Sequence, residues 1–256
     1  MAHSFEEYKN GYQQLFDTCV ISSTKKAEIE GLVSKIVKNK ARYVAVTQNT
    51  NVPWVFTGII HCMESGLNFN THLHNGDPLS ARTTHVPAGR PASGTPPFTW
   101  EASAADALTF VGLTSWTDWS VAGMLYRFEK YNGFGYRSRG INSPYLWSYS
   151  NHYKKGKFTG DGKFDPAAVS KQCGAVVLLK SIIENDAEVD MPAEIKKLGA
   201  EVIYDPGHVH ANAEQLQLLL NSAGKSLVVD GKAGRKTSDA YFSISGKFLQ
   251  GDPKII

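Results

Sequence analysis

The chain has 256 residues, 42% of them hydrophobic and 20% charged, with a formal net charge of +3. That length buries a full core, with room for a medium domain beside a small one, and the balance excludes a largely disordered or membrane-spanning chain. The mild basicity suits an anionic polymer, but no dense Lys/Arg stripe or base-reading motif points to nucleic acid.

In chain order, "MAHSFEEYKNGYQQLF" carries acids where a signal peptide has a basic region ahead of an apolar one. Synthesis in the cytoplasm without an export signal is therefore expected. "KKAEIEGLVSKIVKNKARYVAV" places Ile29, Leu32, Val33, Ile36 and Val37 at helical spacing with charges between, the pattern of one buried face. A further helix is expected to start near Pro53, which suits a first turn, and to run through "WVFTGIIHCMES" to about Glu64. From Leu67 to Thr99 the text turns to Asn, Thr, His, Gly and Pro, with Pro78, Pro87, Pro91, Pro96 and Pro97. Such a stretch is not helical, and the reading is a small irregular hairpin forming one wall of a cleft.

Helix returns in "SAADALTFVGL", with Ser103 as expected N-cap, and in "WSVAGMLYRFEKYNG", which stops at Asn-Gly. "YNGFGYRSRGINSPYLWSYSNHYKKGKF" is rich in Gly, Tyr and Ser, and "DPAAVSKQCGAVVLLKSII" reads as a helix opened by Asp165 and Pro166. "DGKFD", Asp161 to Asp165, is too short for a calcium loop and reads as a turn. The organisation expected is a helical domain over 1–185, an acidic linker over 186–206 and a small helical unit over 207–256. In the last, Leu216, Leu219 and Leu220 share a helix face, Asp230 and Gly231 form a tight turn, and Thr237 caps a helix.

Apolar runs such as "GAVVLLK" are far too short to span a bilayer, so membrane insertion is not expected. Cys19, Cys62 and Cys173 lie far apart with no CxxC spacing, which indicates neither a disulfide framework nor a zinc site. His61, His72, His74 and His85 lack a matching carboxylate or Cys partner at a recognised metal spacing, so no metal and no cofactor is expected.

A carboxylate at the end of an apolar helix, opening onto a turn-rich stretch, is an arrangement for general acid catalysis. Apolar neighbours desolvate the acid and raise its pKa, and a glycosidic oxygen leaves only once protonated. A solvated helix-terminal Glu is the plain alternative, since a single carboxylate carries little specificity. A partner carboxylate would lie roughly 6.5–9.5 Å away in an inverting enzyme or about 5–5.5 Å in a retaining one. Asp77, in "HNGDPLS", is the first candidate, although Asn-Gly-Asp-Pro is also an ordinary turn. Tyr136, Tyr145, Trp147 and Tyr149 stand in Gly/Ser-rich sequence, where rings with polar edges make platforms for sugar faces. Arg90, Arg137 and Arg139 are candidates to pair with substrate carboxylates.

"GIIHCMESGLNFNTH" resembles the catalytic segment of the lysozyme-like superfamily, in which a helix delivers the acid as Glu-Ser before a hairpin, as in goose-type lysozymes and lytic transglycosylases. "FEKYNGFGYRSRGINSPYLW" resembles the cleft segment of the same superfamily. The resemblance implies a mainly α, lysozyme-like domain with a small irregular β-hairpin, Glu64 as the acid, and Tyr131 and Asn132 lining the groove. Asp77, or Thr83 or Thr84 holding a water, would complete the catalytic set, and Ser65, Asn68, His72, Arg90, Tyr136, Tyr145 and Trp147 would touch substrate. "LQLLLNSAGKSLVVDGKAGRKTSDAYFSI" resembles a peptidoglycan-binding repeat with three helices, matched at Leu216, Gln217, Leu220, Asn221, Gly224, Val229, Asp230, Gly231, Gly234, Thr237, Ala240 and Phe242. "YFSISGKFLQ" stands where that repeat ends in Phe-Gln. Gln217, Asp230, Gly231, Arg235 and Thr237 are the wall-contacting residues it implies. Together the two resemblances imply a monomeric endolysin-type muramidase. It would cleave bacterial peptidoglycan between N-acetylmuramic acid and N-acetylglucosamine, and act on the wall after release from the cytoplasm. A lytic transglycosylase, a chitinase or chitosanase, and a non-catalytic wall-binding protein are the alternatives.

Overall fold

The structure is a computed structural model that describes residues 3–160, 162–185, 191–223 and 225–255. Within them the chain is mainly helical, with one small antiparallel sheet of two strands. It divides into two compact units, one of Asp17–Trp116 with Arg127–Ile182 and the other of Met1–Phe16, Thr117–Tyr126 and Ile183–Ile256. The sequence reading runs the first domain continuously to residue 185; here residues 1–16 and 117–126 group with the C-terminal residues.

In the larger unit, α2 (Lys26–Lys38) buries Ile29, Val33 and Ile36, the stripe that the spacing predicts. Helix α3 (Lys40–Thr50) follows directly, and α4 (Trp54–Ser65) packs against both. The sequence of α4 has no polar face, and every residue from Val55 to His61 is buried. Fully burying Phe56, Ile59 and Ile60 contributes roughly 1.5–3 kcal/mol each relative to exposure. Gly58 permits the close approach: a Cβ there would stand 2.7 Å from an Ile36 methyl and 3.2 Å from the Tyr43 ring. Helix α4 stops where Gly66 turns left-handed at φ 57°.

The segment from Leu67 to Thr99 forms no strand among the described residues; Thr71 and Pro78 make a single isolated bridge. Side chains hold it instead of a ladder. His72 is buried, with Nδ1 2.6 Å from the Ser103 hydroxyl and Nε2 2.8 Å from the Ala81 carbonyl. Arg90 donates twice to Asp106, at 2.8 Å each, and His74 meets the same carboxylate at 2.7 Å. These bonds tie the segment to α5 (Trp100–Phe110). The N-cap of α5 is Thr99, whose hydroxyl accepts from Ala102 N at 3.2 Å, and the expected cap Ser103 lies buried inside the helix.

Helix α6 (Val121–Asn132) ends at Asn132 before Gly133, as the Asn-Gly signal predicts. In its second half Phe128 stacks on Phe56 at 4.3 Å, joining α6 to α4. After the short α7 (Pro144–Trp147), the sheet appears where a turn and a helix start are expected: β1 (Lys157–Gly160) pairs with β2 (Lys163–Asp165). Phe158 and Phe164 face each other across this hairpin and shelter against Tyr136. Asp161 lies outside the described residues. Asp165 ends β2 rather than opening a helix; its carboxylate accepts from Ala167 and Ala168 N–H groups, and α8 (Ala175–Asn185) begins ten residues later.

In the other unit, α1 (Phe5–Asp17) buries Tyr12, and Tyr126 donates its hydroxyl to the His3 carbonyl at 3.0 Å. Helices α9 (Met191–Gly199), α10 (Ala211–Ser222) and α11 (Arg235–Ser245) pack a small core of Ile195, Val202, Leu216, Leu220, Tyr241 and Leu249. Ile195 and Val202 fall within the stretch read as linker, so its second half is part of this core; residues 186–190 lie outside the described residues. The cap of α11 is Gly234, and Thr237 is buried inside the first turn. Gly224, one of the repeat's matched positions, also lies outside the described residues.

Candidate active site

Trp54 and Cys62 are half-buried, and Glu64 is the first exposed residue of α4. Three residues earlier, His61 is wholly buried between Phe69 and Trp100, with its Nδ1 3.0 Å from the Tyr43 hydroxyl. That aromatic clamp fixes the last turn of the helix. Its terminal carbonyls are also satisfied: Gln172 Nε2 donates to Met63 O at 2.8 Å, and Ser65 Oγ and Leu67 N donate to His61 O.

The Glu64 carboxylate accepts a 2.6 Å hydrogen bond from the Tyr145 hydroxyl, its one hydrogen-bond partner among the described residues. The side chain is open to water on one side, yet protein atoms crowd the rest of its surroundings, and this desolvation raises its pKa. The Tyr145 bond favours the charged form and pulls partly the other way. A helix C-terminus adds a negative dipole end, which also disfavours charge on the acid. The hydroxyls of Tyr145 and Tyr131 are both raised above the usual phenol range, first by burial and then by the Glu64 charge. Glu64, Tyr131 and Tyr145 are thus one electrostatic group, in which burial raises the pKa of the acid.

Beside this group lies a cleft of about 580 Å³, lined by Asn132, Tyr136, Tyr145 and Gln172 and, from the hairpin, by Lys157–Gly160 and Gly162. Glu64 adjoins it through Tyr145. Tyr136 is only 7% exposed; its hydroxyl accepts from Phe158 N at 3.1 Å, so it also holds the hairpin lip in place. Beneath the 131–140 loop, Glu129 is buried and bonded to Arg137 at 2.6 Å.

Several residues expected at the site stand elsewhere in the unit. Asp77 organises its own loop: it accepts from Thr84 N at 2.7 Å, His85 N at 3.0 Å, the His85 ring at 2.6 Å and Asn75 at 3.2 Å. These donors, led by the His85 N–H, hold its carboxyl well below the usual range. Thr84 is committed to Asp77 through both its N–H and its hydroxyl. His72 is a buried strut with both ring nitrogens bonded, and Arg90 is held by Asp106 through Nε and Nη2. Trp147 is 2% exposed and packs in the core against His152. Asn68 caps its own turn, its side chain accepting from Asn70 N at 3.0 Å. Arg139 lies over the Phe164 ring at 4.3 Å.

The hairpin lip and Gln172 are the parts of the cleft that the sequence reading missed. Two Lys-Phe pairs around Gly-Asp-Gly, Lys157-Phe158 and Lys163-Phe164, are the signal that finds the hairpin. Of the residues expected to contact the wall, Gln217 and Thr237 are buried and hydrogen-bonded to each other at 3.1 Å; Asp230 and Gly231 donate their N–H groups to Gln217; and Arg235 is exposed. Among the described residues, no group of three or more His, Cys, Asp or Glu is arranged to hold a metal, and no helix is long and apolar enough to cross a membrane. No known family profile, curated protein or solved structure matches the chain.

Proposed function

We propose that the chain is an endolysin-like muramidase that cleaves the glycan of bacterial peptidoglycan, with Glu64 as the general acid. The observation that carries the reading is the Glu64 carboxyl at the end of a buried helix, its pKa raised by desolvation, beside a cleft large enough for sugar rings. Tyr145 orients the carboxyl through one oxygen and leaves the other to meet a glycosidic oxygen. The resemblance of the 58–72 and 128–147 segments to the lysozyme-like superfamily supplies the substrate class. The C-terminal three-helix core, with its resemblance to a peptidoglycan-binding repeat, supports a tether that raises enzyme concentration on an insoluble wall.

One observation favours a second reading of the same chemistry, a lytic transglycosylase, in which the sugar's own hydroxyl replaces an attacking water. Asp77, Glu101, Asp106 and Glu129, the carboxylates nearest in role, are each bonded to a cation, an imidazole or loop N–H groups. Glu64 then works as the sole carboxylate.

Clearing of purified cell walls by wild type and Glu64→Gln tests the proposal. The substitution keeps shape and removes the proton donor, so the rate is expected to fall roughly 10²- to 10⁴-fold. Equal clearing by the two proteins contradicts it.

A further inference from the structure

The residues that the repeat pattern nominates for wall contact are largely spent inside the C-terminal core, which leaves the question of what surface there meets a polymer. Arg235, Asp239 and Phe242 stand at i, i+4 and i+7 on α11 and share one face. Gly246, left-handed at φ 72°, ends the helix and returns the chain so that Phe248 stacks on Phe242 at 4.3 Å with the rings 13° from parallel. Phe242 nevertheless remains 43% exposed, unusual for a large ring with a partner on one face, and Phe248 is its only ring contact among the described residues. Lys254 lies over the Phe248 ring at 5.0 Å and pairs with Asp239, which Arg235 approaches at 3.8 Å while itself 79% exposed. Asp239 and the buried Asp252 balance these two cations, and the exposed Arg235 guanidinium is the cationic group that reaches solvent at the edge of the open aromatic face.

We infer that the Phe242–Phe248 stack with Arg235 and Lys254 is the wall-binding surface of this unit: a sugar ring of peptidoglycan lies on the open face of Phe242, and a stem-peptide carboxylate reaches the cations at its edge. The chemistry selects this occupant. Sugars bring an apolar C–H face that stacks on rings, whereas a neutral polysaccharide has no anion for the arginine and lysine. "YFSISGKFLQ", the stretch that departs from the repeat's usual ending, supplies both rings of the platform.

This inference rests on the proposed wall-directed function, and co-sedimentation separates the two. The full chain carrying Glu64→Gln, which binds without digesting, is mixed with purified peptidoglycan or with chitin as a neutral control. Phe242→Ala and Phe242→Tyr are compared on that background, with circular dichroism to verify folding. Phe242→Ala is expected to weaken binding to peptidoglycan roughly tenfold or more, Phe242→Tyr to retain it, and added salt to reduce it. Unchanged binding by a folded Phe242→Ala protein, no binding by the parent, or equal binding to chitin overturns the inference. Each leaves the Glu64-dependent cleavage of wild type to be judged by its own assay.

Discussion

Replacing Gln217 by Ala should destabilise the C-terminal unit rather than erode a binding surface. Its side chain is 2% exposed and makes five hydrogen-bond contacts. The amide nitrogen lies within hydrogen-bond distance of three acceptors that share its two hydrogens, Asp230 Oδ1 at 2.9 Å, Lys232 O at 3.1 Å and Thr237 Oγ1 at 3.1 Å, and the oxygen accepts from Asp230 N at 3.0 Å and Gly231 N at 2.9 Å. Asp230 and Lys232 reach solvent and recover water as partner, so those three bonds cost about 0.5–1 kcal/mol each. The Gly231 N–H and the Thr237 hydroxyl are buried and left stranded, at about 1–2 kcal/mol each. With two hydrogens shared among the nitrogen's three acceptors, the sum is about 3–6 kcal/mol, a large share of a domain's typical stability of about 5–15 kcal/mol. Urea unfolding followed by circular dichroism measures it. A loss below about 1 kcal/mol refutes the hub role, and a stable Gln217→Ala protein that fails to bind walls returns Gln217 to the surface role the repeat resemblance implies.

Two other perturbations test the electrostatics. Burial pushes the His61 pKa down to about 4, against about 6.5 for the unfolded chain. Between those values the unfolded state binds the proton and the folded state does not, so stability is full above pH 6.5 and falls on the order of 3 kcal/mol as the pH drops to about 4. His61→Asn is expected to flatten that stretch of the stability curve; an unchanged slope argues that His61 is protonated within the fold. Tyr145→Phe removes the bond that favours ionised Glu64, so the carboxyl's pKa rises further and the alkaline limb of the kcat/KM profile moves to higher pH. A limb that moves lower or stays fixed contradicts the pairing.

The helices were legible wherever one face carried the pattern. Ile29, Val33 and Ile36 marked α2, and the unbroken apolar run before Glu64 with Gly66 after it marked α4 and the position of the acid. The segment from Leu67 to Thr99 was illegible because its order comes from side chains with distant partners: His72 meets Ser103 and Arg90 meets Asp106, pairings that no local spacing encodes. The same logic misplaced Asp77, His72 and Gln217, since a polar residue in turn-rich sequence looks the same whether it faces a ligand or a buried amide. Strands β1 and β2 are too short for alternation to register, so the cleft lip was lost with them. Burial separated Trp147 from Tyr145, although both stand in the same aromatic stretch: one fills the core and the other reaches the acid.

The most direct test of the account is mass spectrometry of the products that wild type and Glu64→Gln release from purified peptidoglycan. The account predicts muramic acid ends from wild type and roughly 10²- to 10⁴-fold less from Glu64→Gln. Reducing ends would denote hydrolysis by an attacking water, and anhydro ends attack by the sugar's own hydroxyl with Glu64 as the sole carboxylate. Glycan products that are absent from wild type, or that form equally with Glu64→Gln, contradict the claim that this carboxyl protonates a glycosidic oxygen.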